Sequence, residues 1–369
     1  MVTDMLDSIC RKVDDGERIT EEEALFLYRT KDLLAIGELA AKINERKNGK
    51  CVSFNVNRHI NYTNVCVNRC KFCAFFRAPG EPGAYTYSLE EIRSRAQEAM
   101  HQGATEIHIV GGLHPDLPFE FYLEMLASVK SLSPDLHVKA FTAVEIEYLS
   151  RLARLSVPDT LRCLKEAGLG SLPGGGAEIL GDRVRQQICP EKISGEHWLM
   201  IMEEVHRAGL KSNATMLYGH VESFEDRVEH MRLLRDLQDR TGGFQVFIPL
   251  AFQPENSALT ISGVRKTSGV DDLKTLAIAR IYLDNFTHIK AYWIMLGEKI
   301  AQVSLSFGVN DLDGTVVEEK IGHDAGAASP QCMSREDIIV MISKAGKIPV
   351  ERDTLYNALR VYGTEEQIQ

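Results

Sequence analysis

Residues 64–75 read NVCVNRCKFCAF and carry three cysteines within eight positions, Cys66, Cys70 and Cys73, in the spacing C-x3-C-x2-C. Thiolates this close in the chain can converge on one metal centre. A closed zinc site takes four ligands, and a 4Fe–4S cluster is normally held by four cysteines. Three thiolates on such a cluster would leave one iron open, and this open iron is the chemistry that the spacing predicts.

The motif, with Phe72 as the aromatic residue before the third cysteine, resembles that of the radical S-adenosylmethionine (SAM) superfamily. The resemblance implies a 4Fe–4S cluster on the three cysteines, with Phe72 beside the cofactors and SAM bound to the fourth iron. It also implies that the reduced cluster cleaves SAM to a 5'-deoxyadenosyl radical, while the protein positions and shields the reactants.

A structural zinc site is the alternative that the residues themselves leave open. Its fourth ligand could be Cys51, His59 or Cys189, but none of these lies in a paired C-x2-C or H-x3-H motif. The alternative outside the class of enzymes is therefore a zinc-stabilised binding protein without SAM chemistry.

Composition indicates an ordinary globular chain of 369 residues, with 44% hydrophobic and 25% charged residues. The net charge of −10 disfavours nucleic-acid binding, which usually requires a basic face. The first residues carry acids and no apolar core, so no signal peptide is expected. No apolar run has the length of a membrane span, and clustered cysteines fit a reducing compartment. A cytoplasmic protein with no membrane or nucleic-acid partner is expected.

Short apolar segments alternate with amphipathic segments along most of the chain, which is typical of parallel strands joined by helices. Strands are predicted at 52–56, 106–110, 137–141, 170–172, 211–217, 244–250, 288–294 and 302–307. Helices are predicted between them at 89–101, 119–132, 158–167, 195–208, 224–239 and 270–285. The simplest closed form is an α/β fold, a TIM-type (β/α)8 radical SAM barrel. An open doubly wound sheet is the alternative.

Helical segments are expected on both sides of this barrel, which should cover residues 49–333. Thr20 and Glu23 have the spacing of a capping box, and apolar residues follow with helical spacing, so residues 1–48 are predicted to be a helical extension. Ser334 and Asp337 form another cap-like pair. Residues 334–369 are predicted to be a C-terminal helical segment packed on the barrel.

A glycine pair, Gly111 and Gly112, follows the second predicted strand, and barrel sites gather at such strand ends. It resembles the pair that meets the SAM amino group in radical SAM enzymes, where the absence of a Cβ permits close approach. This chain has Leu113 where the family commonly has glutamate. Taken alone, two glycines after a strand are more often a turn.

Further SAM contacts are expected after the fourth predicted strand, where Glu178 follows a run of three glycines. The run matches neither nucleotide-binding glycine motif. Glu178 is a candidate for the amino or ribose groups of SAM, and Arg185 for its carboxylate, with Arg183 as the alternative. An exposed helical charge is the plain interpretation of each.

Three cations at predicted strand ends, Arg77, His114 and His220, are candidates for binding an anionic substrate. Arginine suits carboxylates because its guanidinium can donate two parallel hydrogen bonds. A lone histidine, however, is more often structural than functional.

The resemblance extends over roughly residues 50–330 and is carried by the stretches 56–64, 106–116, 172–178, 212–220 and 311–320. These are similar to the aminofutalosine synthase family of the futalosine route to menaquinone. The resemblance implies addition of the adenosyl radical to the vinyl carbon of 3-[(1-carboxyvinyl)oxy]benzoate, then rearrangement and decarboxylation to aminofutalosine. SAM would be consumed, and a flavodoxin or ferredoxin would supply electrons.

Dehypoxanthine futalosine cyclase, a radical SAM enzyme of the same route, is the nearer alternative. It abstracts hydrogen and releases free 5'-deoxyadenosine, so the fate of the adenosyl group separates the two activities.

Overall fold

Three helices precede the barrel in the computed structural model, which describes residues 2–363. They are α1 (Val2–Asp14), α2 (Glu21–Arg29) and α3 (Leu33–Asn48). The predicted capping box is present at the start of α2, where the Thr20 side chain accepts from the Glu23 N–H and the Glu23 carboxylate accepts from the Thr20 N–H.

Eight strand positions follow in a parallel ring, as predicted for a TIM-type barrel. The first position is divided into β1 (Cys51–Asn55) and β2 (Asn57–Ile60). β2 begins a seven-stranded parallel sheet that continues in chain order. Its other members are β3 (Glu106–Ile109), β4 (His137–Ala140), β5 (Ser171–Leu172), β6 (Lys211–Tyr218), β7 (Phe244–Ala251) and β8 (His288–Ile289).

The last strand position, β9 (Asp311–Gly314), closes the ring between β8 and β1. β9 pairs in parallel with β1, and the Ser53 N–H donates to the Asn310 carbonyl at 2.9 Å. On its other side, the Ala291 N–H just after β8 donates to the Asp311 carbonyl at 2.9 Å. The closed barrel is therefore confirmed over the open doubly wound sheet.

Helices connect the strands and bury their apolar faces against the ring. They are α4 (Leu89–His101), α5 (Phe119–Lys130), α6 (Ala143–Ala153), α7 (Val157–Glu166), α8 (Asp182–Ile188), α9 (Gly195–Arg207), α10 (Phe224–Thr241), α11 (Gly269–Tyr282), α12 (Trp293–Leu296), α13 (Glu298–Ser304) and α14 (Ile321–Asp324). Of these, α6, α8, α12 and α14 have no counterpart among the predicted helices, and α13 begins at Glu298, where the spacing after the seventh predicted strand leaves room for only a short helix.

The N-terminal extension packs on the outside of the barrel against α10 and α11. The Tyr28 ring stacks on Phe224 with ring centroids 4.8 Å apart. Lys274 of α11 donates to the carbonyls of Tyr28 at 3.1 Å and Thr30 at 2.7 Å. These contacts cap the carbonyls that the end of α2 leaves without helical partners.

The prediction of an eighth strand at 302–307 is wrong. The segment alternates apolar and polar residues, which predicts a strand, but its first half belongs to α13 and Val303 is 45% exposed. The strand is β9, whose sequence DLDG lacks the apolar pattern because its aspartates form buried ion pairs. The predicted seventh strand is also shorter, and Trp293 lies at the start of α12.

The C-terminal segment is only partly helical, which corrects the prediction for 334–369. It contains α15 (Arg335–Lys344), followed by β10 (Ile348–Arg352) and β11 (Ala358–Val361). β10 pairs in parallel with the free side of β1, and β11 pairs antiparallel with β10. Residue 1 and residues 364–369 of the predicted terminal segments lie outside the described residues, and the domain boundaries stay a prediction.

Among the helices described, none combines the length and the apolar character that a membrane crossing requires.

The position of the eighth strand can be tested by a pair of substitutions. Leu312 in β9 is 1% exposed, so Leu312→Ala should lower the free energy of unfolding by about 2–5 kcal/mol. Val303→Ala on the surface of α13 should change it by less than about 0.5 kcal/mol. Urea denaturation followed by near-UV circular dichroism measures both, and a larger loss for Val303→Ala would contradict the assignment.

Candidate active site

A cavity of about 310 Å³ lies inside the barrel and reaches the loops that follow the strands. Cys66, Cys70 and Cys73 all line it, together with Phe72. The three predicted ligands and the predicted aromatic neighbour therefore face one space. They lie in the loop of residues 61–88, which joins β2 to α4 and contains the quoted stretch.

Backbone hydrogen bonds fix this cysteine loop to its neighbours. The Cys66 N–H donates to the Arg77 carbonyl at 3.1 Å, which folds the end of the loop back on its start. The Val67 N–H donates to the Leu113 carbonyl at 3.0 Å, beyond the end of β3. These bonds hold the cysteine loop against its own end and against the segment that follows β3.

The three cysteines of the loop provide the kind of donor set that a 4Fe–4S cluster requires. In residues 2–363, no group of three or more His, Cys, Asp or Glu side chains is placed to hold one metal ion. A 4Fe–4S cluster makes a different demand, because each cysteine binds a different iron atom. The donor set of three cysteines on one loop fits three corners of such a cluster.

Burial shapes the acidity of these thiols. It raises the pKa of Cys70 to about 12, and burial also raises the pKa of Cys73, with Lys192 acting against it in both cases. Metal binding requires the thiolate and releases the proton. Binding of iron at Cys70 and Cys73 is therefore expected to release a proton from each of these two thiols.

The glycine pair has a structural reason to be glycine. An added Cβ at Gly112 would lie 2.2 Å from the Val65 carbonyl oxygen, and one at Gly111 would lie 2.7 Å from the Tyr62 ring. Both glycines therefore let the start of the cysteine loop lie directly on the end of β3. Both glycines also line the cavity, which is compatible with the predicted contact to the SAM amino group. That contact stays a prediction.

Glu145 is a cavity residue that was not among the predicted SAM ligands. Its carboxylate caps α6 by accepting from the Thr142 N–H at 2.7 Å, and it also accepts from the Gly111 N–H at 3.2 Å. Burial raises the pKa of Glu145 to about 7. A carboxyl of this kind ties the glycine pair to the start of α6 and presents a polar group to the cavity.

Glu178 lines the cavity as predicted, and it forms a buried ion pair with Lys192 at 2.5 Å. The Lys192 ammonium also lies 5.0 Å from the centroid of the Phe72 ring. Burial alone would lower the pKa of Lys192, but Cys70 and Glu178 raise it. Lys192 was not predicted, because nothing in its local sequence marks it as a site residue.

Arg185 is not brought into the cavity. It is 2% exposed, and its guanidinium donates to the carbonyls of Ala177 and Ile193, each at 2.6 Å. Arg185 therefore holds the loop after β5 in place, and its guanidinium N–H groups donate to backbone carbonyls rather than to a ligand. The alternative Arg183 points outward and pairs with Asp226.

The three candidates for an anionic substrate also lie outside the cavity lining. Arg77 donates to the carbonyls of Ala74 and Phe76, each at 2.8 Å, and so closes its own loop.

The two histidines among these candidates serve their own loops. His114 accepts from the Asp116 N–H at 3.1 Å, and the fully buried His220 side chain bonds to the Leu217 carbonyl at 2.9 Å. Burial lowers the pKa of both imidazoles. The structure thus supports the plain interpretation, in which each histidine is structural.

A layer of polar side chains inside the barrel takes the place of these candidates. His59, His108 and Lys139 occupy matching register positions on β2, β3 and β4 and all line the cavity. The two imidazole rings are 4.2 Å apart, and Lys139 pairs with Glu106 at 2.7 Å. His59 is 5% exposed, and its Nε2 has no protein partner among the described residues.

A third lysine also lines the cavity. Lys290 follows β8, pairs with Asp313 and lies 3.6 Å from Asp311. Lys139 and Lys192 line the same cavity. For Lys139 and Lys290, the sequence signal is a charged residue inside, or directly after, an otherwise apolar strand; Lys192 has no such signal.

Two family models match the chain. The Radical SAM superfamily model matches residues 60–234, and the model of the CofH/MqnC C-terminal region matches residues 241–364. An aminodeoxyfutalosine synthase of Thermus thermophilus is 48% identical, over 97% of both chains. A 5-amino-6-(D-ribitylamino)uracil–L-tyrosine 4-hydroxyphenyl transferase of Methanopyrus kandleri is 45% identical, over 85% of this chain and 86% of that one. A cyclic dehypoxanthine futalosine synthase of Streptomyces coelicolor is 41% identical, over 97% and 90%.

Two solved structures share the fold at low sequence identity. The [FeFe]-hydrogenase maturase HydG has a TM-score of 0.75 at 18% identity and covers 96% of this chain and 78% of its own. Methylornithine synthase (PylB) has a TM-score of 0.73 at 17% identity and covers 93% and 97%.

Gly112→Ala should disturb the cysteine loop, because the new methyl group would meet the Val65 carbonyl. We expect a loss of about 1–3 kcal/mol in the free energy of unfolding, as for other overpacked sites, and less iron bound after anaerobic reconstitution. Gly181→Ala is the matched control, since its Cβ would meet no atom closer than 3.8 Å. Iron analysis and thermal unfolding measure both effects, and full iron loading of Gly112→Ala would refute the packing argument.

Proposed function

The chain belongs to the radical SAM superfamily, and on that premise we propose that it is an aminodeoxyfutalosine synthase. Aminodeoxyfutalosine synthase and aminofutalosine synthase are two names for the same activity. The superfamily and the TIM-type barrel predicted from the sequence are both confirmed. Membership implies a 4Fe–4S cluster and SAM as cofactors.

One observation carries the proposal beyond the superfamily. The cavity that holds the cysteine motif also holds Lys139, Lys192 and Lys290. Two of these lysines are nearly or fully enclosed by the barrel, with 3% and 1% exposure for Lys139 and Lys290. An acidic protein that buries cations beside its radical site is suited to an anionic substrate.

The substrate 3-[(1-carboxyvinyl)oxy]benzoate carries two carboxylates at opposite ends, and the lysines offer partners on different walls of the cavity. Burial and the neighbouring His59 hold the pKa of His108 well below its ordinary value, so its imidazole is neutral. A neutral imidazole can donate one hydrogen bond to a carboxylate. We assign carboxylate binding to Lys139, Lys290 and this imidazole layer, rather than to Arg77, His114 and His220.

The residues around the cysteine loop divide the remaining work. When bound, the cluster supplies the electron that cleaves SAM and so provides the adenosyl radical for addition to the vinyl carbon. Phe72, with Lys192 over its ring, forms the wall beside the thiols. Glu145 presents a carboxyl at the glycine pair, where the family places the amino group of SAM.

Apolar residues complete the enclosure and keep water and hydrogen donors from the reacting atoms. They hold the vinyl carbon within reach of the adenosyl group, and this proximity favours addition over quenching. They come from the cysteine loop, the end of β3 and the strands β6 and β7, and include Phe75, Phe76, Leu113, Leu217, Ile248, Leu250 and Phe252.

The same chemistry requires an electron donor, for which we propose a flavodoxin or ferredoxin in the cytoplasm. No membrane or nucleic-acid partner is part of this proposal.

The activity is tested with SAM labelled in the adenosyl group, in anaerobically reconstituted enzyme with a chemical reductant. We expect the label in aminodeoxyfutalosine when the benzoate substrate is supplied. The two related activities are tested in parallel with dehypoxanthine futalosine, and with L-tyrosine plus 5-amino-6-(D-ribitylamino)uracil. Turnover of either of these, with the label recovered as free 5'-deoxyadenosine and no adduct, would overturn the proposal.

Single substitutions test the ligand assignment. Cys66→Ala, Cys70→Ala and Cys73→Ala should each abolish SAM cleavage, because each removes one cluster ligand, while the far-UV circular dichroism stays native. Cys163→Ala is the control, since Cys163 lies in α7 on the outside of the barrel. Retained SAM cleavage in any of the three ligand variants would contradict the assignment.

A further inference from the structure

The segment that begins at the last residue of β10 forms a floor across the amino-terminal end of the barrel. This floor segment, residues 352–356, contacts four strands at their first or second residues. The strand residues in contact are Glu106 of β3, Gln245 of β7, His288 of β8 and Asp311 of β9. The N-terminal helices, by contrast, pack on the outside of the barrel.

Two of the floor contacts end on carboxylates that also hold cavity lysines. The Thr354 hydroxyl donates to Glu106 Oε2 at 2.7 Å, and Lys139 Nζ donates to the same oxygen at 2.7 Å. Glu106 is fully buried, and its other oxygen has no protein partner among the described residues. The position of Lys139 is therefore set by a carboxylate that only two side chains orient.

The second contact repeats the arrangement on β9, on the other side of the first strand position. Arg352 Nε donates to Asp311 Oδ2 at 2.7 Å, and the other oxygen of Asp311 lies 3.6 Å from Lys290 Nζ. Asp311 Oδ1 also accepts from the Asp313 N–H at 2.8 Å, which orients the carboxylate that pairs with Lys290. Arg352 is 1% exposed and lies 4.0 Å from the Tyr356 ring, so it is fixed within the floor.

We propose that the floor segment sets the substrate-binding geometry of the cavity, with Thr354 and Arg352 as positioning residues for Lys139 and Lys290. This inference rests on the proposed function, because it takes the two lysines as the partners of the substrate carboxylates. Neither positioning residue lines the cavity, so each acts through one buried carboxylate.

Glu106 shares its negative charge between the Thr354 hydroxyl and the Lys139 ammonium group. While the Thr354 hydroxyl satisfies part of the carboxylate, Lys139 can also bind an anion in the cavity. Without that hydroxyl, the buried carboxylate depends on Lys139 alone, because a buried charge needs hydrogen-bond partners. The ammonium group is then drawn toward the floor and away from the substrate.

Thr354→Val tests this directly, because it removes the hydroxyl and keeps the shape of the side chain. In cluster-loaded enzyme we expect the dissociation constant of 3-[(1-carboxyvinyl)oxy]benzoate, measured by titration calorimetry, to rise about tenfold, equivalent to about 1.4 kcal/mol. The KM for SAM should stay within about twofold, and more SAM should be cleaved to 5'-deoxyadenosine without adduct. Thr354→Ser keeps the hydroxyl and should restore native affinity.

Gln245→Leu is the matched control for a general loosening of the floor. Gln245 donates to the Thr354 carbonyl at 3.0 Å and so holds the same segment, but it touches neither carboxylate. Its substrate affinity should stay native. Should Thr354→Val fail to fold, Thr354→Ala takes its place, and urea denaturation reports the folding of every variant.

The outcomes distinguish a failure of the proposed function from a failure of the positioning role of Thr354. A native enzyme that neither binds nor converts the benzoate substrate would overturn the proposed function. A native enzyme that does so, with an unchanged dissociation constant in Thr354→Val, would overturn only the positioning role. Equal weakening in Gln245→Leu and Thr354→Val would also overturn it, because the floor would then act by closure alone.

Discussion

The site depends on charges that are buried inside the barrel and must therefore be paired. Taking an ion out of water costs several kcal/mol, and only a partner with good geometry offsets this cost. Each cavity lysine has such a partner: Lys139 has Glu106, Lys192 has Glu178, and Lys290 has Asp313. The pairing fixes the ammonium groups before any ligand arrives, and a fixed set of charges needs no rearrangement when it meets an anion.

The same pairs connect elements that are distant in the sequence. Lys192, after α8, reaches over Phe72 of the cysteine loop to the carboxylate after β5. Lys192 therefore ties the aromatic wall to the glycine-rich loop. Together with the backbone hydrogen bonds of Cys66 and Val67, this contact keeps the cysteine loop, which has no strand or helix of its own, at the end of the barrel.

The sequence predicts the barrel well wherever strands are apolar and bounded by helices, as at β3, β6 and β7. It fails at β9, because the sequence DLDG owes its buried place to Arg352 and Lys290, and neither partner is near in the chain. The site shows the same division. The cysteines can be recognised in the sequence because they are closely spaced. Each lysine is isolated in the sequence, and only the fold brings the three together. Arg185, expected at SAM, proves to be occupied by carbonyls that no sequence pattern reveals.

The break between β1 and β2 has a consequence for biosynthesis. The first half of this strand, β1, lies between β9 and β10, so residues near position 51 form hydrogen bonds with residues near position 348. During translation β1 is synthesised early, and its backbone hydrogen-bonding groups stay unpaired until β9 and β10 have been synthesised. Such pairing across the length of a chain slows folding, and open edges invite association with other chains. Nascent chains truncated before β10 should thus be clients for chaperones, and ring closure is a late event in the life of each molecule.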